Sequence, residues 1–357
     1  MTAARRMVVK VGSRVLCDEE GVLDLAVLGD LVDQIAALRQ DDWEVLLVTS
    51  GAVAAGAGLV GAQTRRIANP VARKQVLAAT GQVQLMETYQ QLFRGHGLHI
   101  AQILATRSDF NTRGHYLNMR ACIEAALDTG IVPVLNENDV VSVTELMFTD
   151  NDELAGLLAG MTGASHLALL TSVDGVLAGG QGEVIAEWDE GLHGAEQLVQ
   201  AGTSQFGRGG MHSKLAIARK TSGLGTEVVI ANGRQPGVLK AIASAEAVGT
   251  RFRARGRATP AKRWLASMDG AALGAVVVNA GAEQALRDRS RLVSLLPVGV
   301  EEVEGEFQRG DVIQVRSSSG RVLGCGRAQF DHEEARELLG QRDQKPLIHY
   351  DYLYLLD

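Results

Sequence analysis

The sequence predicts an α/β fold: a three-layer αβα sandwich built on a mainly parallel, open sheet, followed by a small, mostly β domain. Three observations predict it. Over the first 250 or so residues, short runs rich in Val, Ile and Leu alternate with longer helical patterns. Those runs are apolar almost throughout, as strands covered by helices on both faces are. Past the basic stretch Arg251–Arg263, the pattern changes to short β-type runs divided by turn signals.

The elements can be justified in order. Strand candidates are Met7–Val11, Val45–Thr49, His99–Leu104, Ile131–Leu135, Leu167–Thr171 and Glu227–Ala231. Helical periodicity falls between them, at Leu25–Arg39, Arg73–Phe93, Tyr116–Thr129, Asp152–Thr162 and Met211–Ser222. The stretch Arg251–Arg263 has six basic residues, no acid and one proline, and reads as a linker. Gly274–Asn279, Val312–Arg316 and Arg321–Gly326 are the β-type runs beyond it. The predicted division is a catalytic domain over 1–255, a basic linker over 256–272 and a small β domain over 273–350.

Composition narrows the function. The 357 residues carry a formal charge of −7 and only 4% aromatics. Residues 271–357 hold 10 Lys+Arg and 14 Asp+Glu, a balance of −4. Binding to nucleic acid through phosphates and stacked bases calls for the opposite on both counts. Three distant cysteines, Cys17, Cys122 and Cys325, give no disulfide framework and fit a reducing, cytoplasmic setting. Val45–Thr64 and Leu154–Val173 lack charge, but Gly, Ser and Thr interrupt both, so neither reads as a membrane span.

Ligands of a parallel sheet bind beyond the carboxyl ends of its strands, and polar motifs gather there. Lys10-Val11-Gly12-Ser13 ends the first strand, and Thr49-Ser50-Gly51 ends the second. Asn136-Glu137-Asn138-Asp139 follows the fourth and Thr171-Ser172 the fifth. Asp150-Asn151-Asp152 opens a helix. The loop Gly207-Arg208-Gly209-Gly210-Met211-His212-Ser213-Lys214 opens another, with glycines that admit an anion and a lysine that supplies charge. It is not a P-loop, which needs glycine at Ser213.

Each motif also has a plain structural reading. Lys10 could be a strand-end surface lysine and Ser50 a helix cap. The acidic clusters could be turn and N-cap residues. Gly56, Gly58 and Gly61 fit G-x-G-x-x-G, but start too far past the strand for a dinucleotide turn. His96 and His99 lack the companions of a metal site.

Taken together and in order, these motifs resemble the amino-acid kinase family, and within it the branch that phosphorylates glutamate. Leu295-Leu296-Pro297, Gly299-Val300, Phe307, Gly310-Asp311, Gly324 and Gly326 resemble a PUA domain. The resemblance implies ATP, with Mg²⁺ carried on the nucleotide and no protein metal site. It implies that Lys10 and Lys214 balance charge on the transferring phosphoryl group, with Asp152 orienting both. Ser50, Asp139 and Asn151 would hold L-glutamate. The nucleotide would meet Lys10, Gly12, Ser13, Thr171, Ser172, Arg208, Gly209, Gly210, Met211, His212, Ser213 and Lys214. Proline as feedback inhibitor, a glutamyl-phosphate reductase partner and a homo-oligomer are also implied; PUA domains often bind RNA, but the −4 balance of residues 271–357 argues against it here. The chain departs from the family pattern at Ser172, usually Asp, at Arg14 and Arg208, and over 176–182. Sibling kinases acting on acetylglutamate, aspartate or carbamate, and an RNA-binding PUA protein, are the alternative functions.

Overall fold

The computed structural model describes residues 5–18, 20–111, 113–141, 150–178, 182–189, 210–256, 258–267, 272, 274–288 and 292–356. The chain divides into two compact units, Met1–Arg257 and Ala258–Asp357.

The N-terminal unit holds a seven-stranded sheet. Its strands are β1 (Arg5–Val11), β2 (Trp43–Val48), β3 (Ile100–Ala105), β4 (Val132–Glu137), β5 (His166–Thr171), β6 (Glu227–Asn232) and β7 (Thr250–Phe252). Their order is β3-β4-β2-β1-β5-β6-β7, with only β7 antiparallel to its neighbour. The helices among the described residues are α1 (Ser13–Leu16), α2 (Leu25–Gln40), α3 (Ala52–Thr64), α4 (Pro70–Gly95), α5 (Arg107–Asn111), α6 (Arg113–Asp128), α7 (Asn151–Thr162), α8 (Met211–Gly223) and α9 (Val238–Ala243).

Strand alternation decides which side chains meet which layer. Met7, Val9 and Val11 of β1 join Val45, Leu47, Val132, Val134, Ala168 and Leu170 in one core with α2, α4 and α9. The alternate residues, Lys10 among them, face the layer of α6, α7 and α8. The predicted three-layer, mainly parallel architecture is the one observed. β1 is central, so its carboxyl end lies beside the ends of both β2 and β5. No helix among the described residues is long and apolar enough to cross a membrane.

The three G-x-G-x-x-G glycines lie within helix α3, and the first of them serves helix packing. Gly56 lies in α3, where a Cβ would stand 1.9 Å from the Leu77 carbonyl of α4; at Gly81 of α4 a Cβ would stand 1.8 Å from the Ala52 carbonyl. Glycine at these two points lets the two backbones touch.

The C-terminal unit holds a five-stranded sheet of β8 (Gly274–Val278), β9 (Val300–Gly305), β10 (Val312–Ser317), β11 (Val322–Ala328) and β12 (Ile348–Leu355). The order is β12-β11-β10-β8-β9, antiparallel except for β8 with β10. Val276, Val278, Phe307, Ile313, Val315 and Ile348 form its core. The segment read as a linker over 256–272 is not extended throughout. Pro260–Ser267 is a helix, α10, packed on β11 and β12 with Trp264, Leu265 and Ala266 buried. Its basic residues suggested a linker, but a leading proline and a short apolar run are enough for two helical turns.

Candidate active site

Three charged side chains are buried together at the carboxyl end of β1. Lys10 is the penultimate residue of that strand. Asp152 is the second residue of α7, and Lys214 lies in the first turn of α8. Lys10 Nζ is 2.6 Å from Asp152 Oδ1, and Lys214 Nζ donates to Asp152 Oδ2 at 2.8 Å. Asp152 is fully buried, while Lys10 is 5% and Lys214 7% exposed. Burial pushes the Asp152 carboxyl up, but the charges and hydrogen bonds of the two lysines outweigh it and hold the group below its ordinary range. The Asp150 carboxyl also feels both lysines, so two ammonium groups stand here beside two carboxyls. Two buried ammonium groups held in place by such partners can receive an anionic ligand.

The helix starts add to it. Asp150 caps α7, accepting from the N–H groups of Asp152 and Glu153, and its other oxygen accepts from Ser213 Oγ at 3.0 Å. Burial and the neighbouring Asp152 push the Asp150 carboxyl above its ordinary range, against the pull of both lysines. The start of α8 is different. Its N-cap is a glycine, Gly210, which brings no side chain, and a helix start of this kind suits an anion.

Beside the triad lies a network of amides. Asn151 Nδ2 donates to the Thr49 carbonyl at 2.8 Å, to Ser50 Oγ at 2.9 Å and to Asn136 Oδ1 at 2.9 Å. Asn136 Nδ2 donates in turn to Gln82 Oε1 at 2.8 Å. With its nitrogen thus committed, Asn151 presents Oδ1, which is buried and has no hydrogen-bond donor among the described residues. Such an oxygen suits a donor brought by a ligand. Ser50 does not cap α3. Gly51 holds that position at φ +98°, a conformation that favours glycine, and Ser50 Oγ turns to Asn151. Asp139 Oδ1 accepts from Lys74 Nζ at 2.9 Å.

The remaining candidates fall as follows. Gly12 and Ser13 follow β1, with Gly12 N–H donating to the Leu170 carbonyl of β5. Thr171 ends β5 beside them, half-buried, and Ser172 is exposed. Gly210, Met211, His212 and Ser213 lie at the start of α8. Arg208 and Gly209 lie outside the described residues. His96 pairs with Asp33 at 2.7 Å on the surface. No group of three His, Cys, Asp or Glu side chains that could hold a metal occurs among the described residues.

Sequence reasoning missed four members of the site. Thr49 and Asn136 stood inside flagged motifs without a role. Lys74 and Gln82 lie in the long helix α4, and their partners are 65 and 54 residues away. A polar residue inside a helix carries no local sign of such a partner.

Comparison with known proteins agrees with this geometry. The amino acid kinase family profile matches residues 5–232, and the PUA domain profile matches residues 274–349. The chain is similar to the glutamate 5-kinase of Chlorobaculum tepidum, 50% identical over 354 residues, covering 99% of this chain and 98% of that protein. The glutamate 5-kinase of Bacteroides thetaiotaomicron is 41% identical over 357 residues, covering 98% of each chain. That of Thermus thermophilus is 40% identical over 371 residues, covering 99% of this chain and 98% of the other.

Proposed function

The chain belongs to the glutamate 5-kinase branch of the amino acid kinase family, and from that premise we propose that its triad transfers the γ-phosphoryl group of ATP to the γ-carboxylate of L-glutamate. The product is L-glutamyl 5-phosphate, the first intermediate of proline biosynthesis. One observation carries the proposal: Lys10 and Lys214 converge on the single buried carboxylate of Asp152, beside the start of α8.

The nucleophile needs no base, because a carboxylate with a reference pKa of about 4.3 is already ionised at neutral pH. An oxygen of the γ-carboxylate attacks the γ-phosphorus as the bond to the β,γ-bridging oxygen breaks, and ADP leaves with that oxygen. The difficulty is electrostatic, since two anions must meet in line. Lys10 and Lys214 lie on either side of Asp152 and are fixed by it, so they offset charge on the transferring group without reorganising. The start of α8, with Gly12, Ser13, Thr171 and Ser172, receives the nucleotide. Mg²⁺ bound to the phosphates supplies further charge neutralisation.

Ser50, Asn151 and Asp139 receive the amino acid. Asp139 and Asn151 Oδ1 are acceptors for an ammonium group. Inhibition by proline, a glutamyl-phosphate reductase partner, a homo-oligomer and a cytoplasmic location belong to the same reading.

The test is to trap the acyl phosphate with hydroxylamine in the presence of ATP. Glutamate, acetylglutamate, aspartate and carbamate are offered in turn. Glutamate should give the hydroxamate at the highest kcat/KM, and preference for a sibling substrate would overturn the assignment.

A further inference from the structure

We infer that Lys74 is a specificity-determining residue that reads the α-carboxylate of the amino-acid substrate. The inference rests on the proposed function, in which Asp139 takes the substrate's α-ammonium.

Lys74 lies near the start of α4, and its Nζ donates to Asp139 Oδ1 at 2.9 Å. The Asp139 side chain is only 15% exposed, whereas that of Lys74 is 43% exposed. The next residue makes a second tie to the same loop, with Gln75 Nε2 donating to the Val140 carbonyl at 2.7 Å. Eight residues further along α4, Gln82 anchors Asn136, and Asn136 anchors Asn151. Residues eight apart share a helix face and lie about 12 Å apart along its axis. One face of α4 therefore runs from the amide network to Lys74.

The pair Lys74–Asp139 is one cation beside one anion, which is the charge pattern of an α-amino acid head group with the signs exchanged. A zwitterion entering there can take both charges. Its ammonium replaces Lys74 on Asp139, and its carboxylate accepts from the released Lys74. Both protein charges stay paired throughout, so the exchange leaves no charge stranded. The Lys74 stem is long and half open to solvent, so it can make the short move while Gln75 holds the helix in register. A substrate lacking the α-carboxylate would displace Lys74 and leave it without a partner. The pair thus selects for a free α-amino acid, apart from whatever the triad does to the γ-carboxylate.

The experiment compares L-glutamate with its α-amide, isoglutamine, which keeps the γ-carboxylate and the ammonium. Full-length wild-type, Lys74→Met and Lys74→Arg chains are assayed at saturating ATP. For Lys74→Met, kcat/KM for glutamate should fall about tenfold or more through KM, with kcat within about twofold, because a charge-assisted bond is lost. For isoglutamine it should hardly change, so discrimination collapses, and Lys74→Arg should restore most of it. Equal losses on both substrates would overturn the inference and make Lys74 a structural tie. A lower KM for glutamate in Lys74→Met would also overturn it, leaving Lys74 as a mere competitor for Asp139. A wild-type chain that makes no hydroxamate from glutamate would strike the proposed function instead.

Discussion

In the N-terminal unit the buried polar side chains include four ionisable groups, Arg6, Lys10, Asp152 and Lys214, whereas in the C-terminal unit the same set, among the described residues, is Ser317 alone. Burying charge is expensive unless the charge is paired, so a fold that does so four times has a reason. The two ends of β1 differ in that reason. At its start, Arg6 donates to Glu44 of β2 and Glu124 of α6, and to the Thr162 carbonyl at the end of α7. Acceptors surround that guanidinium, and the contact clamps strands and helices together. At the other end, two lysines share one buried carboxylate beside the start of a helix. The charge at Arg6 ties elements together, whereas the triad fixes two ammonium groups where a strand ends.

Removing a lysine should break the comparison most visibly. Lys10→Ala and Lys214→Ala should each lower kcat by about 30- to 1000-fold, the equivalent of roughly 2–4 kcal/mol of transition-state stabilisation. The KM for glutamate should move far less. Arg6→Met should do the reverse, lowering the melting temperature while kcat of the folded fraction stays within about threefold. Steady-state kinetics beside calorimetry on the three variants separates the two roles. A lysine variant with unchanged kcat would remove that lysine from the chemistry.

A smaller effect is expected where the charge is paired at the rim. Asp139→Ala should raise the KM for glutamate by about tenfold, since a charge-assisted bond to the ammonium is lost. The KM for ATP should stay within about twofold. An equal loss of affinity for ATP would place Asp139 in the nucleotide subsite.

Most strands were legible because a doubly covered strand must be apolar on both sides, while β3, at the sheet edge and only partly buried, was legible from its Ile and Leu residues. The triad was half legible. Lys10 and Lys214 lie in motifs whose glycines betray an anion site, and Asp152 lies where a helix must start. The meeting of all three was not legible, because it depends on Lys10 facing the α7 side of β1, one residue out of phase with Val9 and Val11. Lys74 and Gln82 were illegible for a related reason: their partners are set by how α4 crosses the end of β4. In the C-terminal unit, α10 was hidden because its charges are local and its burial against β11 and β12 is not.

The pH response offers a finer comparison within the N-terminal sheet. His166 starts β5, packed edge-on against Trp43 at 5.1 Å and 3.7 Å from Glu227. Burial holds its imidazole below the ordinary 6.5, with Glu227 pulling up and Arg251 pushing down. Below pH 6.5 the unfolded chain therefore takes up a proton that the folded chain resists. Its contribution is complete above the unfolded value and is lost as pH falls through the folded one. Chemical denaturation at pH 7.5 and pH 5.5 should show wild type losing more stability on acidification than His166→Gln. Equal losses would place the acid sensitivity elsewhere, with Asp152 the next candidate at lower pH.

The least effect on turnover is expected from removing the C-terminal unit altogether. Every member of the triad and of the amide network lies before Arg257, where the first compact unit ends. The last strand of that unit is closed off locally, since Arg255 N–H donates to the Ser222 carbonyl at the end of α8. The C-terminal sheet carries its own core and its own helix, so each unit has the makings of an independent fold. A chain ending at Arg257 should therefore stay folded and phosphorylate glutamate with kcat within about threefold of the full chain. Sensitivity to proline and mass in solution are the properties expected to change, because the removed unit holds no member of the proposed triad. Purification, light scattering and the hydroxamate assay, with and without proline, decide the matter. A monodisperse fragment without activity would show that the second unit completes the active site. The contrast between a unit that hides charge and one that does not would then no longer mark where the chemistry lies.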